Sequence, residues 1–173
     1  MKVSVCAQKE LREKLKETKP TLLISIVDKD GLSPVRVMPK ELLPEPSKIL
    51  HCRFNDSIHG EEFPPTRMDV LRILEWGQTN IQNSSILLAH CWGGISRSTA
   101  AVLILLVQHE GPEFIADCCD KLVLARPQAI PNELMIELAD DILLGHTKFK
   151  GKLIKAAEAI SVERGYFVKR VQQ

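Results

Sequence analysis

His90-Cys91-Trp92-Gly93-Gly94-Ile95-Ser96-Arg97-Ser98 joins the apolar run Ser85-Ile86-Leu87-Leu88-Ala89-His90 to the helix-forming stretch Thr99-Ala100-Ala101-Val102-Leu103. A cysteine and an arginine thus enclose five residues between a predicted strand and a predicted helix. Gly93 and Gly94 permit the backbone angles of a tight turn. Such a turn can aim successive backbone N–H groups, with the helix N-terminus, at one tetrahedral anion. Arg97 adds a planar fork for two oxygens, a geometry lysine lacks. The same surroundings favour the thiolate of Cys91, the form that attacks phosphorus. His90 is placed to fix the loop and the sulfur from behind. Ser98 is placed to hydrogen-bond the sulfur, and Trp92, Gly93, Gly94, Ile95, Ser96 and Arg97 to line the anion site. A lone cysteine at a strand end is usually core packing, and the order of a nucleotide-binding P-loop is absent. The whole string in a strand–loop–helix setting outweighs both readings.

Outward from this loop, Thr21–Val27 and Lys48–Phe54 read as further buried strands, with Val3–Ala7 as an edge strand. Helical patterns cover Lys9–Thr18, Thr66–Thr79, Ser98–His109, Pro112–Leu124 and Asn132 to about Ala159. Four prolines make Ser33–Pro46 an irregular surface loop. The fold class is therefore α/β, a mainly parallel central sheet flanked by helices with a helical C-terminal half. Residues 1–173 read as one domain, ending in a helical, basic tail at 145–173 with seven basic and two acidic residues. That tail reads as a solvated helix face with a frayed end, ahead of an anionic-surface contact.

Ligands of parallel sheets sit beyond the carboxyl ends of the strands. The second strand ends in Arg53-Phe54-Asn55-Asp56-Ser57, with Asp56 35 positions before Cys91. A departing ester oxygen needs a proton, and Asp56 lies in the region that could supply it, although Asn-Asp-Ser by itself reads as a plain turn cap. Glu61, Glu62 and Asp69 are the substitutes.

With these residues in view, the chain resembles the protein tyrosine phosphatase superfamily, in its small dual-specificity-like branch. The resemblance spans Thr21 to the helix after Asn132 and is sharpest at His90–Ser98. It implies a nucleophile at Cys91, a phosphate-binding arginine at Arg97, an assisting hydroxyl at Ser98 and a general acid at Asp56. Asn55-Asp56 stands where the longer tyrosine-specific enzymes carry Trp-Pro-Asp. Arg126-Pro127-Gln128-Ala129-Ile130-Pro131-Asn132 is similar to a family segment before the last helices. There Asn132 is either a helix cap or a brace for the phosphate loop.

Apolar residues make up 45%, charged residues 26%, and the net charge is +1. This balance favours neither nucleic acid nor membrane as partner. No signal peptide or membrane-length apolar run is visible, and the odd set of five cysteines fits reduced thiols in a cytoplasm. Adjacent Cys118-Cys119 lack zinc-ligand spacing. Cys52 reads as core, with a disulfide to an oxidised Cys91 as the alternative. The expected activity is phosphate-monoester hydrolysis through a phosphocysteine, without metal or cofactor. The expected partner is a phosphorylated protein or a small phosphate ester. Phosphoinositide or nucleotide/RNA phosphates, sulfur transfer and a phospho-binding pseudophosphatase are the alternatives.

Overall fold

The computed structural model describes residues 1–57 and 61–162. Strands β1 (Lys2–Ala7), β2 (Leu22–Val27), β3 (Ile49–Arg53) and β4 (Ile86–Cys91) form one sheet in the order β1-β4-β2-β3. Every neighbouring pair is parallel. The helices are α1 (Leu11–Thr18), α2 (Arg67–Asn80), α3 (Arg97–Glu110), α4 (Ile115–Ala125), α5 (Glu133–Leu144) and α6 (Lys152–Val162). Among the described residues no helix is long and apolar enough to cross a membrane.

Alternation along β2 explains its nearly continuous apolar sequence, broken only by Ser25. Leu22, Ile24 and Ile26 join the larger core, while Leu23 faces the opposite side with Leu88, Cys6, and Leu11 and Leu15 of α1. Both faces are covered, so all six residues are buried. Helix α3 is buried without interruption from Arg97 to Val107, packed among β4, α2, α4 and α5. That rigid setting fixes the start of α3, where the loop after β4 arrives.

Three expectations need correction. The helix expected from Asn132 to Ala159 is two helices, because the buried Asp140 carboxylate accepts from the Gly151 and Leu153 amides at 2.7 and 3.0 Å. Gly151 turns the chain with φ +78°, so a cap and a glycine outweigh helix propensity there. The Ser33–Pro46 stretch is not merely surface. It coils into short 3-10 turns whose Val35, Met38, Leu42 and Leu43 cover the α1 face of the sheet. Cys52 is core, but the disulfide weighed as its alternative does not fit, because β2 lies between β3 and β4. Two strand spacings are roughly 9–10 Å, beyond the ~7 Å within which two cysteines bridge without backbone movement.

Of the basic tail, the structure describes α6 as far as Val162. Arg164, Lys169 and Arg170 lie outside the described residues.

Candidate active site

Because all four strands run the same way, their carboxyl ends gather the segments after Ala7, Val27, Arg53 and Cys91 along one edge. Cys91 ends β4 and is 1% exposed. Its Sγ lies 3.2 Å from the buried Ser98 Oγ, on the first turn of α3.

The carbonyls of the intervening loop are engaged one after another. Trp92 O accepts from the Gln8 amide at 3.1 Å. Arg126 donates through Nη2 to Gly93 O at 3.1 Å and through Nε to Gly94 O at 2.9 Å. Ile95 O accepts from the Ile130 amide at 2.8 Å and from Thr99 Oγ1. Ser96 O accepts from the Ala100 and Asn132 amides at 2.9 and 3.3 Å. In a trans peptide the N–H points opposite to the carbonyl of the same unit. The amides of Gly93 to Arg97 are therefore turned away from these donors, an arrangement that can cradle an oxyanion.

Only one of the two glycines is demanded by the backbone, which corrects the expectation that both supply special angles. Gly94 has φ +65°, and a Cβ there would stand 2.4–2.5 Å from the Cys6 and Ala7 backbone. It packs under the loop against β1 rather than in the pocket lining. A Cβ on Gly93 would meet nothing nearer than Ile95, at 3.7 Å.

Arg97 is 2% exposed; its Nη1 donates to Phe54 O at 2.7 Å and pairs with Asp28 Oδ1 at 2.7 Å. Its Nε has no hydrogen-bond partner among the described residues. A buried donor left unpaired costs free energy, so an acceptor in the pocket would complete it. Asp56 Oδ2 stands 3.9 Å from that Nε. Asp56 Oδ1 accepts from Ser96 Oγ at 2.5 Å and from Asn132 Nδ2 at 2.9 Å. The pocket thus brings together Cys91, Arg97, Asp56, Trp92, Gly93, Ile95 and Ser96, along with Asp28 and Ile130.

The substitutes for Asp56 are placed elsewhere. Asp69 is bound to the Thr66 amide at 2.9 Å, completing the cap of α2. Neither Glu61 nor Glu62 lines the pocket. Asn132 combines the two roles weighed for it, since its Oδ1 accepts from the Met135 amide at 3.0 Å while Nδ2 reaches Asp56. Trp92 is 71% exposed, on the rim of the pocket.

His90 sits behind the loop, fully buried, its ring nitrogens short of full hydrogen-bond geometry but near enough to the Cys91 backbone to feel it. Burial, aided by the charge of His51, pushes its pKa down to about 4.

Sequence reasoning missed Asp28, Glu10 and the role of Arg126. Asp28 follows β2 just as Asp56 follows β3, so the strand-end rule applied to Val27 would have found it. Glu10 accepts from the Ala7 amide at 2.7 Å and pairs with Arg126 at 3.1 Å. Those contacts, the amide first, hold its carboxyl below the usual range. No sequence signal marks a partner 116 positions away.

No family model matches the chain, and no curated protein matches it in sequence. Solved structures do. Human DUSP28 is 18% identical with a TM-score of 0.54, covering 93% of this chain and 94% of its own. The PTP-2 phosphatase of Cydia pomonella is 14% identical with a TM-score of 0.60, covering 80% of this chain and 84% of its own. The human tyrosine phosphatase-like serine/threonine/tyrosine-interacting protein is 16% identical at a TM-score of 0.52, covering 79% and 84%. The chain has the fold of the small, dual-specificity-like protein tyrosine phosphatases.

Proposed function

We propose that the chain is a cysteine-dependent phosphatase that hydrolyses phosphate monoesters, of the phosphotyrosine or phosphoserine/threonine kind in proteins, as one catalytic unit. The observation that carries this reading is the run of five outward-held carbonyls from Trp92 to Ser96, opposite which five amides can face one anion above Cys91. The phosphatase names of the structures that share the fold support it.

In the first step the Cys91 thiolate attacks phosphorus. The S–P bond forms, the P–O ester bond breaks, and Asp56 Oδ2 delivers a proton to the departing oxygen. In the second, water attacks phosphorus and gives its proton to Asp56 while the P–S bond breaks. The Ser98 hydroxyl, 3.2 Å from Sγ, donates to the returning thiolate. The loop amides and Arg97 Nε meet the charge on the equatorial oxygens, where single donors can contribute ~10²–10³ in rate. No step calls on a metal or cofactor. All five cysteines are free thiols, which suits a reducing, cytoplasmic setting.

The test is p-nitrophenyl phosphate hydrolysis in EDTA by the parent, Cys91→Ser and Asp56→Asn proteins. Cys91→Ser is expected to be inactive, and Asp56→Asn to lose about 10²-fold or more. Full activity in Cys91→Ser would end this mechanism. Tight phosphopeptide binding without turnover in the parent would favour a pseudophosphatase.

A further inference from the structure

We propose that Asp28 is a specificity-determining residue of this pocket, a fixed anion on Arg97 that selects against substrates carrying more negative charge beside the scissile phosphate. The inference rests on the phosphatase reading. It narrows the substrate class to monoesters whose surroundings are neutral or cationic, such as a phosphorylated residue flanked by basic side chains.

One buried guanidinium serves two carboxylates, Asp28 at 2.7 Å and Asp56 at 3.9 Å. Both line the pocket that holds Cys91. With Asp56 carrying the proton that it delivers, Arg97 and Asp28 offset each other, and the charged side chains of the lining sum to zero before the sulfur is included. The attraction for a phosphate therefore comes chiefly from the loop amides, which surround one tetrahedral group and nothing beyond it. A second anion on the substrate meets the Asp28 carboxylate without such a cradle, and like charges that close repel by several-fold in affinity even at a partly solvated site.

Asp28 is held in place rather than loosely exposed. The Phe54 amide donates to Val27 O at 3.1 Å just before it, and the Gly31 amide donates to Asp28 O at 2.9 Å. Asn55 Oδ1 accepts from the Lys29 amide at 3.0 Å, and Arg53 Nη1 donates to Lys29 O at 3.3 Å. Asn55-Asp56 and Asp28 thus form one braced unit around Arg97. The exposed neighbours Lys29 and Asp30 offset each other's charge. At 54% exposure, the Asp28 side chain stands where an approaching substrate passes.

Calorimetric binding of tungstate, a phosphate mimic, reads the charge effect without turnover. kcat/KM for two phosphotyrosine peptides, differing only in flanking Lys or Glu, reads selection. The parent is expected to prefer the Lys-flanked peptide about tenfold. In Asp28→Asn, whose amide oxygen can still accept from Arg97, tungstate should bind about tenfold tighter and the peptide preference should fall to about twofold. Asp28→Glu, which keeps the charge, should restore both values toward the parent's. If Asp28→Asn does not fold, Asp28→Ser carries the same comparison. Unchanged or weaker tungstate binding on removal of the charge would overturn the proposal, as would an unchanged peptide preference. A parent that binds tungstate but hydrolyses neither peptide would refute the phosphatase reading alone, leaving the effect of Asp28 on tungstate to be judged by itself.

Discussion

Asn132 ties the first turn of α5 to Asp56. Its Oδ1 accepts from the Met135 amide at 3.0 Å while its Nδ2 donates to Asp56 Oδ1 at 2.9 Å. With Ser96 Oγ on the same oxygen, Asp56 leaves Oδ2, 3.9 Å from Arg97 Nε, for the proton transfer that the proposed mechanism assigns to it.

Asn132→Asp separates these two duties. Aspartate is as good a cap as asparagine, so α5 keeps its start. The buried charge and the donor lost to Asp56 and Ser57 O should lower the melting temperature by several degrees. The donor to Asp56 is lost and a like charge is set beside it. kcat should fall about tenfold or more on an alkyl phosphate, whose leaving oxygen needs a proton, and less on p-nitrophenyl phosphate. Steady-state kinetics on both substrates check this; equal falls would contradict it.

Gly94 and Gly93 should respond oppositely to a methyl group. Gly94→Ala forces a Cβ to within 2.4–2.5 Å of the Cys6 and Ala7 backbone at φ +65°. Activity should drop by ~10²-fold or more and stability by about 1–3 kcal/mol. Gly93→Ala, whose Cβ would make only ordinary contact with Ile95 at 3.7 Å, should keep activity within a few-fold. Melting curves and p-nitrophenyl phosphate assays decide between the two.

Arg126 holds two loop carbonyls and is itself held by Glu10. Arg126→Lys keeps the charge but not the fork, so kcat should fall on the order of tenfold with KM for p-nitrophenyl phosphate little changed if the loop amides loosen mainly toward the transition state. Glu10→Gln should give a smaller fall of the same kind. A loss confined to KM would show that Arg126 acts on substrate binding instead.

How far the sequence was legible follows from which residues speak locally. Cys91, Arg97 and Ser98 lie within eight positions of one another, so one string carried the cradle, its cation and the hydroxyl. The strands were legible because β2 and β4 are buried on both faces and hence apolar but for Ser25 and His90. Asp56 was found by the family resemblance of Asn55-Asp56 just past the end of β3. Asp28 stands likewise just past β2 but lacked a neighbouring motif to draw the eye. Glu10–Arg126 was out of reach, since it depends on β1 lying against β4, a pairing that no local pattern announces. The break between α5 and α6 was hidden because Asp140 caps from eleven positions upstream of Gly151, where helix propensity alone reads straight through.

His90 makes stability depend on pH. The unfolded chain takes up the proton near 6.5, but burial delays this in the folded protein to about 4. Above about 6.5 both states are neutral and nothing is lost. As the pH falls from 6.5 toward 4 the unfolded chain binds the extra proton, so stability falls, by up to about 3 kcal/mol at the lower end. Urea unfolding at pH 7.5 and pH 5, with His90→Asn as the control, should show a steeper decline in the parent. Parallel declines would exclude His90 as the source.

The most direct test of the central claim is to quench the enzyme with acid during turnover of a phosphate monoester and map the phosphoryl group by peptide mass spectrometry. The account predicts a phosphoryl group on the Cys91 thiol in the parent, more of it in Asp56→Asn if hydrolysis of the intermediate slows more than its formation, and none in Cys91→Ser. Turnover in Cys91→Ser at the parent's rate, or a phosphoryl group carried on any other residue, would contradict it.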